Sequence, residues 1–126
     1  MIKNKNNKAF WETRIKKTSS LFQEIGNSID IDKRLFIEDI QGSTAHVEML
    51  YKQKIISKKI QKRILNGLKK IKNEINKNKF KFNKKYEDIH MNIEKRLNQL
   101  IGDDAGYIHT GRSRNDQVIT DFKLWI

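Results

Sequence analysis

The sequence contains no cysteine and no proline, and only six of its 126 residues are glycine. Without cysteine, neither a disulfide framework nor a thiolate metal site can form, which fits a reducing compartment. Without proline and with few glycines, most turn punctuation is missing, and an all-α fold is the natural reading. Long apolar runs are lacking as well. No stretch approaches the roughly 20 residues of a membrane span. The polar start from Met1 to Lys8 is followed by no hydrophobic segment, so an ordinary secretory signal is excluded. These absences lead to the expectation of a cytoplasmic protein with no membrane partner.

Lysine is what the chain has in plenty. The formal net charge is +12, a balance that can mark a nucleic-acid partner. Yet only six of the 27 basic residues are arginine, the side chain best suited to bidentate phosphate and base contacts. The lysines are spread along helical segments and are not interleaved with aromatics. Lysine, asparagine and isoleucine rise together, as an AT-rich genome would produce. The charge is therefore read as compositional bias, and no nucleic-acid partner is expected.

Residues 1–26 are polar and irregular, with Phe10, Trp11, Ile15, Leu21, Phe22 and Ile25 as possible anchors. A first helix is expected from about Asp32 to Tyr51, with Leu35, Ile40, Val47, Met49 and Leu50 as its apolar positions. Ser57 suits an N-cap for a second helix, in which Ile60, Ile64, Leu68, Ile71 and Ile75 recur at spacings of three and four. Asn76 to Lys85 reads as a loop. A third helix follows over about Glu87 to Ile101, with Gly102 where a C-terminal glycine belongs. A glycine-punctuated connector, Asp103 to Arg112, leads to a last helix that Ser113 caps, with Asp116 in the capping-box position. That helix ends the chain at Trp125-Ile126 with no stop signal and an apolar pattern still seeking a partner, so a truncated element is expected.

Chemistry concentrates in His109-Thr110-Gly111-Arg112-Ser113-Arg114-Asn115-Asp116-Gln117. A glycine permits a tight turn just before a helix, whose first N–H groups lack internal partners and carry the positive end of its dipole. Two arginines and the hydroxyls of Thr110 and Ser113 crowd that point, and Asn115 adds an amide. Such a terminus can receive a carboxylate or phosphate. Alternatively, Ser113 merely caps the helix, while the arginines are solvated or paired with Asp103 and Asp104.

Together with Val118 to Trp125, this nine-residue run is very similar to a signature of the argininosuccinate lyases. Three further blocks resemble that family in the same order: Asn27-Ser28-Ile29 with Asp32 to Leu35; Asp39 to Ser43 with Ala45-His46; and Glu87 to His90 with Asn92 to Leu97 and Ile101-Gly102. The likeness extends over nearly the whole chain from about Trp11. It departs where the family carries Trp-Gly-Gly-Arg-Phe and this chain has Trp11-Glu12-Thr13-Arg14-Ile15.

The resemblance implies an all-α N-terminal domain over residues 1–108. Residues 109–126 would then form the signature loop and first turns of a central helical bundle. It implies the fumarase/aspartase chemistry: reversible elimination of fumarate from argininosuccinate to leave arginine, with no cofactor and no metal. Positive groups would hold the succinyl carboxylates as charge builds on them. Ser28 and Asn115 match substrate-contacting positions, and Arg114 is a carboxylate partner in the same loop. His90, Thr110, Arg112 and Ser113 would support the site, whereas His46 and His109 are read as structural or surface residues. The family's catalytic serine loop carries Met-Pro-x-Lys-x-Asn, which a chain without proline cannot contain, and its threonine–histidine segment is absent too. No catalytic residue is therefore expected among these 126 residues. The family works as a homotetramer whose sites draw on three subunits. Another fumarate-releasing lyase, a non-catalytic relic and a basic helical binding domain are the competing readings.

Overall fold

The computed structural model describes Leu21 and residues 26–126. Phe10, Trp11, Ile15, Phe22 and Ile25, and the Glu12-Thr13 departure, lie outside the described residues. Among the described residues every regular element is helical. A single turn, α1 (Ile29–Asp32), and a 3-10 turn (Lys33–Leu35) lead into α2 (Phe36–Lys52). There follow α3 (Lys58–Asn76), α4 (Ile89–Ile101), a 3-10 segment (Gly102–His109) and α5 (Arg114–Trp125). α3 packs against both α2 and α4, and α5 lies against α2.

The expected first helix thus starts at the end of α1, passes through a 3-10 turn and is continuously α-helical only from Phe36. The carboxylate best placed to cap it is used elsewhere: Asp32 accepts from the Ser28 hydroxyl at 2.6 Å and from the Ile89 backbone at 3.0 Å. No side chain caps the start of α2. α3 begins as expected, with Ser57 Oγ accepting from the Ile60 backbone at 3.2 Å. α4 starts two residues later than expected because Asp88 is its cap, extended and accepting from Met91 N at 2.8 Å. Gly102 closes α4 with φ 71°.

The stretch expected to be an irregular connector winds instead into the 3-10 segment. Ala105 and Ile108, three residues apart, lie on one side of a three-residue turn, and both enter the core. Where glycine is missing at the ends of α2 and α3, Lys54 and Asn78 adopt the left-handed conformation themselves, with φ of 60° and 54°.

The core joins Ile29, Ile40, Val47 and Leu50 to Ile64, Leu68 and Ile71 of α3 and to Ile89, Ile93 and Leu97 of α4. Met49, expected inside, is exposed, because Val47 and Leu50 already fill the face that α2 turns inward. Gly67 marks the closest approach of α3 to α4. A Cβ there would lie 2.5 Å from Leu97 Cδ1. On α5 the residues that point inward are polar: Gln117 and Asp121 are buried, whereas Val118, Ile119, Phe122, Leu124, Trp125 and Ile126 are exposed.

Candidate functional site

The signature turn is shaped by two local devices. Gly111 takes φ 65°, a conformation that a side chain would strain. Ser113 and Asp116 then form a reciprocal capping box: Ser113 Oγ accepts from Asp116 N at 3.2 Å, and Ser113 N donates to Asp116 Oδ2 at 2.8 Å. The Ser113 backbone N–H holds the Asp116 carboxyl below its ordinary range. A third contact comes from outside, where His46 Nε2 meets the Thr110 carbonyl at 2.8 Å.

The two arginines of the turn face different ways. Arg112 is turned into the protein, its side chain only 7% exposed, and donates to Ser43 Oγ at 3.0 Å. Arg114 is partly open. It donates to Glu94 Oε1 at 2.7 Å and to Gln117 Oε1 at 2.9 Å, with Asp88 Oδ2 3.9 Å from its Nε. Neither arginine pairs with Asp103 or Asp104, the partners envisaged from the sequence. Asp104 binds Arg63, and Arg114 is held by Glu94, which also meets His109. Asn115 is exposed, and its amide makes no hydrogen bond among the described residues.

Ser28 sits on the neighbouring edge. It precedes α1, and its backbone N–H donates to the Glu87 carbonyl at 2.7 Å, tying this turn to the start of α4. The Ser28–Asp32–Ile89 hydrogen bonds and the Asp88–Arg114 contact connect the two segments through one helix terminus. Burial raises the Asp32 carboxyl, and the hydrogen bonds from Ser28 and Ile89 only partly offset this.

His90, on the same terminus, points inward and is buried. Its Nδ1 lies 2.8 Å from Asp39 Oδ1 and 3.3 Å from Asp121 Oδ2. Gln117 Nε2 also donates to Asp39 Oδ1, at 2.5 Å. Burial lowers the His90 pKa, but the hydrogen bond and charge of Asp39 outweigh it, and the net shift is upward. Asp39 moves the other way: burial raises it, and bonding to His90, Gln117 and Asp121 brings it below its ordinary value.

Ligand atoms of Asp39, His90 and Asp121 all lie within 4.8 Å of one another, close enough to be compared with a metal site. The electrostatics argue otherwise. The His90 nitrogen is committed to Asp39, and the Arg112 guanidinium beside the Gly42 backbone already brings positive charge to Asp121.

Sequence reasoning assigned no role to Asp39, Ser43, Glu94, Gln117 or Asp121. The available signal was polar pairs four residues apart, Asp39 with Ser43 and Gln117 with Asp121, each repeating on one helix face. Apart from this region, a cleft of about 620 Å³ runs beneath residues 79–86, with Phe80, Phe82 and Tyr86 on its wall and Arg96 paired to Glu74.

The signature turn thus joins a left-handed glycine, a capped helix terminus and two arginines, one turned inward and one at the rim. A family model described as lyase matches residues 13–126, and the chain belongs to that family. Within it, the chain is similar to argininosuccinate lyases. It is 72% identical to that of Pelagibacter ubique over 99% of this chain and 27% of the relative. Identity is 55% to the Ehrlichia chaffeensis enzyme, over 86% of this chain and 23% of that protein. Identity is 51% to the Bartonella bacilliformis enzyme, over the same 86% and 23% shares. The chain spans about a quarter of the length of these curated relatives. No helix among the described residues is long and apolar enough to cross a membrane.

Proposed function

We propose that this chain supplies part of the substrate-binding wall of an argininosuccinate lyase, the cytoplasmic enzyme that splits argininosuccinate reversibly into arginine and fumarate. The observation that carries the reading is the signature turn. Gly111 is left-handed, Ser113 caps α5, and Asn115 stands exposed with an unused amide at the positive end of that helix. Ser28 and Asn115 contact the succinyl part. Arg114 contributes its remaining donors, because Glu94 and Gln117 occupy only part of a guanidinium's set. Arg112, Thr110, Ser113 and His90 act as supports: Arg112 through Ser43, Thr110 through His46, Ser113 through the cap and His90 through Asp39. The reaction uses no metal or cofactor.

The chemistry itself belongs to segments not present in these 126 residues, so the isolated chain is expected to release no fumarate. Residues 1–108 serve as the N-terminal domain, and 109–126 open a bundle shared by a homotetramer. The test is fumarate release from argininosuccinate by the protein at its natural length. Ser28→Ala and Asn115→Ala should each lower kcat/KM by about 10- to 100-fold, the loss of a hydrogen bond to a charged group at roughly 1.5–3 kcal/mol. Full activity in both variants would sink the assignment of this wall.

A further inference from the structure

The cluster under the signature turn has one acceptor too many. Asp39, His90 and Asp121 are essentially excluded from water, as are Gln117 and Ser43. The available donors go to Asp39, whose Oδ1 receives both His90 and Gln117. Neither oxygen of Asp121 receives a hydrogen bond among the described residues, although the side chain is wholly buried. His90 Nδ1 is 3.3 Å from it but stands closer to Asp39, at 2.8 Å. The remaining nearby charge is Arg112, which shares with Asp121 the space over Gly42: a Cβ there would stand 3.6 Å from both Arg112 Nη2 and Asp121 Oδ1. Arg112 spends its Nη1 on Ser43.

An ionised carboxylate with no donor is the least tolerable buried group, whereas a protonated one becomes a donor itself. We propose that Asp121 carries a proton and donates it to Asp39, so that the two carboxyls share one hydrogen and Asp121 is a positioning residue for the signature loop. The consequence reaches the surface through Gln117. Asp39, kept as the common acceptor, draws the Gln117 NH2 inward at 2.5 Å. That fixes the Gln117 carbonyl on the outer side, where it accepts from Arg114 at 2.9 Å. Asp121, Asp39, Gln117 and Arg114 thus form one polarised chain from α5 through α2 to the rim of the turn. Asp88 acts on the cluster through the charge of His90, and Arg114 through both His90 and Gln117. The energetics agree with the geometry: burial and the neighbouring Asp39 charge push the Asp121 carboxyl up to about 8.

The role in binding rests on Arg114 facing substrate as proposed above; the shared proton does not. The experiment therefore reads both, on the protein at its natural length. Infrared difference spectra at neutral pH should show a buried protonated-carboxyl stretch that disappears in Asp121→Asn and titrates near pH 8. KM for argininosuccinate should rise above that point with kcat little changed. One unit beyond the titration leaves about a tenth of the molecules protonated, hence roughly a tenfold rise. Asp121→Asn, whose amide can still donate to Asp39 but cannot ionise, should fold and abolish that rise, whereas Asp121→Ala should lose the native thermal transition. Absence of the carboxyl band, or an Asn variant as damaged as the Ala variant, would overturn the proposal. So would stabilisation of the wild type, but not of Asp121→Asn, by zinc or manganese ions, since the trio would then be a metal site. A carboxyl band that behaves as described in a protein with no lyase activity would uphold the shared proton and remove the functional reading instead.

Discussion

Asp121 shows how one side chain can set the response of the molecule to pH. Burial and the neighbouring Asp39 charge push its carboxyl from the ordinary 3.8 up to about 8 in the folded chain. Between these values the folded state holds a proton that the unfolded state has released. Stability contributed by the protonated form is thus complete below the lower value and declines as pH rises through the upper one. Asp39 has the opposite sign: its carboxyl is lowered in the fold, so its contribution is present above its ordinary value and is lost as pH falls through the depressed one. Urea midpoints should therefore fall from about pH 5 to about pH 8 and level off beyond, and Asp121→Asn should flatten the slope. A wild-type midpoint unchanged across that range would contradict the buried protonated acid.

Among the elements, the contact of α3 with α4 is the most sharply constrained. Gly67 sits in the interior of α3, where alanine would be preferred by about 1 kcal/mol on helix propensity alone. The added Cβ would fall 2.5 Å from Leu97 Cδ1, and Leu97 is fully buried. Forcing a packed core side chain aside costs about 1–3 kcal/mol. The clash outweighs the propensity gain, so Gly67→Ala should destabilise the protein by roughly 1 kcal/mol in denaturant titration. A stabilised variant would show that the two helices separate easily. These element boundaries were largely legible beforehand. Ser57, Gly102 and the Ser113–Asp116 pair lie where local hydrogen bonding and backbone freedom demand them. The misreadings occurred where a side chain left its own element. Asp32 serves α4 and not α2, and the spacing of Ala105 and Ile108 turned an apparent loop into a 3-10 segment.

For the whole molecule, the notable asymmetry is between α5 and the rest. Helices α2, α3 and α4 bury aliphatic stripes against one another, whereas α5 buries Gln117 and Asp121 and leaves Phe122 and Trp125 about half exposed, their rings 6.2 Å apart. An apolar face of this kind normally meets another surface. If the proposed homotetramer uses this face, Phe122→Ser combined with Trp125→Ser in the natural-length protein should shift it toward smaller species in sedimentation velocity. An unchanged mass would mean that this face is covered within a single chain.

The all-α character, the amphipathic stripe of α3, the caps and the signature turn follow from spacing and residue type. They are local properties, decided within about four residues of chain, and one sequence is enough to read them. What only the tertiary structure decided is which polar groups meet. Asp39, His90, Gln117 and Asp121 come from three helices separated by up to 82 positions. Arg112 turns inward to Ser43, and Arg114 stays at the rim with Glu94. No local rule predicts those partners. A buried hydrogen bond is chosen by the packing that brings donor and acceptor together out of water, and that packing belongs to the whole fold.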